Sequence, residues 1–151
     1  MGYDTVRKRP NGSLYEIKTA NDDNYFRLNI FGMMKVIDIA LWGTGTHDSK
    51  FMMEKYIDGG PSNDVRGVKD LREHLSKVIT PYPNEPDFIR SFRFNGEDAE
   101  QSDCVMFAES LSLGLFKLST DSISVFDEAD IKLYNEFVDW LLQSDNGVFV
   151  G

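Results

Sequence analysis

The chain has 151 residues, 41% of them hydrophobic, and its 16 basic and 25 acidic side chains leave a formal net charge of −9. Eleven Phe, six Tyr and two Trp are too many for a disordered acidic tail, and no run reaches the roughly 20 apolar residues that span a bilayer. A single cysteine, Cys104, excludes an internal disulfide framework and a cysteine-rich zinc site.

In chain order, residues 3–9 and 14–18 flank Pro10-Asn11-Gly12-Ser13 and predict a hairpin. The polar stretch 19–24 suits the approach to a helix. Residues 25–42 are the most apolar segment, with helical spacing of Phe26, Ile30, Met33, Met34, Ile37, Ala40 and Leu41, and predict one central helix stopped by Gly43. Gly32 inside it suggests a close contact with a neighbouring element. A Gly-rich loop over 43–48 and a short helix over 49–56 follow. After a second loop at 58–64, residues 65–79 predict an amphipathic helix.

Pro81, Pro83 and Pro86 set up extended chain. Alternation of Phe88, Arg90, Phe92 and Phe94 predicts a strand, and 97–103 a polar loop. Residues 104–113 read as a helix carrying Cys104 on its apolar stripe, then 115–118 and 123–126 as short strands. Asp127 is a natural N-cap for a helix reaching residue 143, with Glu128 and Asp130 in its first turn. A turn at 144–147 and a last strand at 148–150 complete a single domain over 1–151. The fold class is α+β: four or five helices packed on a small, mainly antiparallel sheet.

The charge is uneven. Residues 1–96 carry 14 basic and 13 acidic side chains, a net of +1; residues 97–151 carry 2 basic and 12 acidic, a net of −10. Such a surface repels a phosphate backbone, which argues against ordinary nucleic-acid binding, and it favours a protein partner with a basic patch. Asp127, Glu128, Asp130, Glu136 and Asp139 are the acids expected to meet it.

Chemical motifs are sparse. Gly43-Thr-Gly-Thr has glycines but no Gly-Lys-Ser/Thr, so it reads as a helix end rather than a phosphate loop. His47 reads as an exposed loop residue; the alternative is a carboxylate-rich site of His47 and Asp48 with Asp22, Asp23 or Asp58. His74 reads as a solvated helix-face residue. Cys104 reads as a small buried hydrophobe rather than a nucleophile. Arg7-Lys8-Arg9 is the one compact basic cluster, expected as a solvated turn, and Met33-Met34 and Met52-Met53 are expected in the core. No cofactor and no metal are indicated, and no catalytic residue stands out.

Met1-Gly2-Tyr3-Asp4, the segment Tyr25-Phe26-Arg27-Leu28-Asn29-Ile30-Phe31-Gly32-Met33, and the final helix leading into Asn-Gly-Val-Phe-Val resemble a set of small uncharacterised proteins of actinobacteria and their phages. The resemblance implies a bacterium- or phage-encoded accessory protein and brings no activity with it. The lone cysteine and the absence of an apolar leader point to the cytoplasm. The leading expectation is a non-enzymatic, macromolecule-binding or regulatory protein that uses its acidic C-terminal surface and needs no membrane. The alternatives are a DNA mimic that inhibits a DNA-binding enzyme, and a small hydrolase or metal-dependent enzyme built on the His47 loop.

Overall fold

The computed structural model describes residues 2–56, 68–93, 97–120 and 126–151. Within these, the chain runs β1 (Gly2–Arg7), β2 (Tyr25–Asn29), α1 (Ile30–Thr44), α2 (Ser49–Tyr56), α3 (Val68–Ile79), α4 (Asp87–Arg90), β3 (Glu97–Ala99), α5 (Gln101–Thr120), α6 (Glu128–Leu142) and β4 (Val148–Val150). The fold is α+β, as expected. The described residues hold six helices and four strands, more helix and less strand than the periodicities predict. No helix among them is long and apolar enough to cross a membrane.

The strands form one antiparallel sheet in the order β2-β1-β4-β3. β1 is central, with Tyr3 opposite Leu28 on one side and Thr5 opposite Val150 on the other. The turn of the expected hairpin forms: Gly12 has φ +85°, and the Arg9 amide donates to the Ser13 carbonyl at 2.7 Å. Its second strand does not, because only Lys8 and Leu14 make an isolated bridge. The strand paired with β1 starts at Tyr25 instead.

That pairing divides the apolar segment expected to be one helix. Tyr25–Asn29 is strand, and the Asn29 carboxamide accepts the Gly32 amide at 2.6 Å and starts α1. α1 ends later than predicted. Gly45, not Gly43, takes the left-handed conformation (φ +81°) and donates to the Trp42 carbonyl. The helix has no basic residue in its last turn; Lys117 of α5 supplies one, donating to the same carbonyl at 2.8 Å.

Met33, Val36, Ile37, Ile39, Ala40 and Leu41 bury α1 nearly all round, against α5 above all. The close contact expected at Gly32 occurs instead between Gly43 and Gly114. A Cβ on Gly43 would lie 1.9 Å from the Ser110 carbonyl oxygen, and one on Gly114 would lie 2.0 Å from that of Ile39.

Other elements also differ from their patterns. Of the strand expected over 88–94, residues 88–93 are the single turn α4 and the bend after it, where the buried Ile89, Phe92 and Arg93 fall at i, i+3 and i+4, a helical spacing; residue 94 lies outside the described residues. The loop expected over 97–103 is β3 running into α5. The helix-then-strand reading of 104–118 gives way to one unbroken helix. Leu111 and Leu115 are buried and Leu113, at 56% exposure, lies on the outer face, so the apparent alternation is accidental. Phe126 precedes α6 outside any strand, and 123–125 lie outside the described residues, as do 58–64 and 65–67. α2, α6 and β4 stand where predicted. Met33, Met34 and Met52 are core residues, while Met53 is 43% exposed.

Candidate functional site

The five predicted acids all sit on or next to α6, but the fold does not gather them. Asp127 takes the extended N-cap conformation without a side-chain capping bond, and Glu128 lies beside it, both exposed. Asp130 is half-buried and lines a cleft of about 370 Å³ with Lys35 and Tyr134. Glu136 and Asp139, three residues apart and hence neighbours on the helix, line a different cleft of about 540 Å³ with Asp22 and Asp23 from the approach to β2. Sequence reasoning missed those two partners, since nothing local links residues 22–23 to 136–139.

The wall of this acidic cleft is aromatic and fixed. Tyr25, Phe26 and Trp140 line it. The Trp140 indole donates to the Asp23 carbonyl at 2.8 Å, and the Arg7 guanidinium lies 4.7 Å from the ring centroid. Arg7 is anchored through Nε to Ser144 Oγ at 3.0 Å and through a terminal nitrogen to the Trp140 carbonyl at 2.9 Å. Burial lowers its pKa, against the pull of Asp23 and Asp145. Asp22, Asp23, Glu136 and Asp139 thus line one cleft with a single guanidinium, that of Arg7. The Arg7-Lys8-Arg9 run is correspondingly dispersed and is no solvated basic cluster: Lys8 pairs with Asp98 at 3.0 Å, and Arg9 lies over Tyr15.

His47 is not an exposed loop residue. It is 6% exposed, donates from its backbone to the Leu41 carbonyl, and stacks on Phe51 at 3.8 Å between ring centroids. Its partner is Asp38 of α1, which sequence reasoning passed over. Asp38 is 1% exposed and is the hub of a polar cluster. Its Oδ1 lies 3.1 Å from His47 Nε2 and accepts the Tyr82 hydroxyl at 2.9 Å; its Oδ2 accepts Lys55 Nζ at 2.7 Å and the Tyr56 hydroxyl. A carboxylate offers about four acceptor positions, and all are used. Burial raises the Asp38 pKa, but the His47 hydrogen bond, the Lys55 charge and hydrogen bond and the Tyr56 hydroxyl outweigh it, so the carboxyl titrates below its ordinary range. Burial, then the Asp38 charge, pushes the Tyr56 and Tyr82 phenols up, which keeps both as donors.

A signal for this hub was present. Asp38 and Lys35 are the only charged residues in Ile30–Thr44, and a carboxylate in a helix buried all round must find partners. The other residues expected around His47 are placed separately where they are described. Asp48 accepts the Phe51 amide and caps α2, Asp22 and Asp23 line the acidic cleft, and Asp58 lies outside the described residues, as does the His74 side chain. No group of three metal-ligating side chains occurs among the described residues.

A second buried ion pair lies nearby. Glu85 accepts from Arg93 through both oxygens, and Arg93 also donates to the Val78 carbonyl at 2.7 Å, closing the end of α3. Cys104 is fully buried, as expected, and burial pushes its thiol pKa up to about 12.

Comparison with protein-family models, with curated proteins and with solved structures returns no match for this chain.

Proposed function

We propose that the protein is a non-enzymatic binding module, bacterium- or phage-encoded, that captures a basic segment of a partner protein through the acidic side of α6. The observation that supports this reading is the cleft that Glu136 and Asp139 line together with Asp22, Asp23, Tyr25 and Phe26. Long organic cations suit such a place: Lys and Arg side chains lay their stems on aromatic rings and present their charge to carboxylates. The excess of −10 over residues 97–151 extends the same field beyond the cleft and steers a basic partner toward it.

The alternative of a DNA mimic needs carboxylates in a row at the phosphate spacing along one face. Lys132 stands between Glu128 and Glu136, and Asp130 faces a separate cleft, so the arrangement favours the protein partner. For an enzyme built on the His47 loop, His47 and Asp38 are both buried and line none of the clefts described, which favours the binding module.

A Lys/Arg-rich peptide titrated against the protein tests the reading. Binding should weaken at least tenfold in Glu136→Lys/Asp139→Lys and fall as salt rises. Charge-reversed Asp127→Lys/Glu128→Lys should lose much less, because those residues stand outside the cleft. Equal binding by the wild type and the first variant overturns the proposal.

A further inference from the structure

A third cleft, lined by Lys55 and Tyr82 of the Asp38 cluster, has the opposite character to the acidic one. It measures about 510 Å³, within the size range of small-molecule sites. Phe51 and Tyr82 form one corner, their rings crossing at 88° with centroids 5.8 Å apart, and Pro81 and Pro83 supply further flat apolar surface. Its polar lining is Lys55, Lys77 and the hydroxyls of Ser76, Thr80 and Tyr82, with no carboxylate among the described residues. In a chain of net charge −9 this is an unusual enclave.

The charges within it can be apportioned. Lys55 is neutralised by Asp38 at 2.7 Å and donates a second hydrogen bond to the Tyr82 hydroxyl at 3.1 Å. An ammonium has three donors, so one remains for a guest. Lys77 is exposed and has no ion-pair partner among the described residues, which leaves one net positive charge among the described residues that line the cleft. Arg93, the nearest guanidinium, lies over Tyr82 but is spent on Glu85 and on the Lys77 and Val78 carbonyls. The site therefore lacks the forked donor suited to a phosphate dianion. A right-angled aromatic corner, flat prolines, point-charge ammoniums and one net charge match a small, flat monoanion.

We infer that this cleft binds an aromatic carboxylate, its ring against Phe51 and Tyr82 and its carboxylate between Lys55 and Lys77. The site is separate from the acidic cleft of α6 and does not depend on the function proposed there. Amide NMR titration of the full chain with benzoate, and with neutral benzamide as its isostere, tests the inference. Benzoate should saturably shift the amides of Phe51, Lys55, Thr80 and Tyr82 and bind at least tenfold tighter than benzamide. Lys77→Glu should weaken benzoate at least fivefold, while Lys18→Glu, an exposed lysine elsewhere, should leave it unchanged. Among the described residues the Lys77 side chain makes no hydrogen bond or ion pair, and amide shifts unchanged away from the cleft report that the variant is folded. Equal affinity for benzoate and benzamide overturns the inference, as does unchanged binding by Lys77→Glu or unsaturable shifts scattered over surface lysines.

Discussion

Asp38 shows how one side chain can organise a region. Its carboxylate draws α1, the loop after it, α2 and the proline-rich segment onto one point, and each donor depends on it. Removing a charge from a buried pair strands the partner, so Asp38→Asn should cost about 3 kcal/mol at neutral pH, measured by urea unfolding. The pH dependence has a definite sign. The folded carboxyl titrates below its unfolded value of about 3.9, so its contribution is present above that value and lost as pH falls through the folded one. The gap between wild type and Asp38→Asn should narrow as pH drops below about 4. Cys104 is the opposite kind of residue, buried and bonded to little. With its thiol pushed up to about 12 and no exposed surface, it should resist a thiol reagent at pH 8 in the native protein and react promptly in urea.

Among the elements, the crossing of α1 and α5 carries most of the core, and two glycines permit it. Alanine is the better helix former by about 1 kcal/mol, yet at Gly43 or Gly114 its methyl would overlap a carbonyl of the facing helix. The helices would have to separate, and overpacking costs about 1–3 kcal/mol or more. Gly43→Ala and Gly114→Ala should each lower stability by about 2 kcal/mol, readable as a lowered urea midpoint at unchanged slope. Periodicity found the helices but misplaced this contact, because Gly32 and Gly43 look alike in sequence and only the facing backbone distinguishes them. The same limit explains β2. Residues 25–29 fit a helical stripe, but their burial is decided by the β1 edge they pair with. β3 is likewise created by its register with β4.

At the scale of the whole molecule, charge is segregated: a near-neutral first 96 residues and a strongly negative remainder. The acidic cleft follows this division only in part, since Asp22 and Asp23 come from the near-neutral part and help line it. Association driven by such a field is screened within about 10 Å at 0.1 M salt. Binding of a basic peptide should therefore lose on-rate more than it gains off-rate as salt rises, measurable by stopped-flow.

The sequence by itself determined the class, the helical segments with strong periodicity, the turn at Gly12, the start of α6 and the location of the acid, because composition and local backbone preference act within a few residues. Tertiary structure alone decided the strand order, the partner of Asp38, and which acids meet. Those outcomes depend on pairings across a sheet and between segments far apart in the chain, as between Asp38 and Tyr82, and burial energy selects them only once the chain has folded.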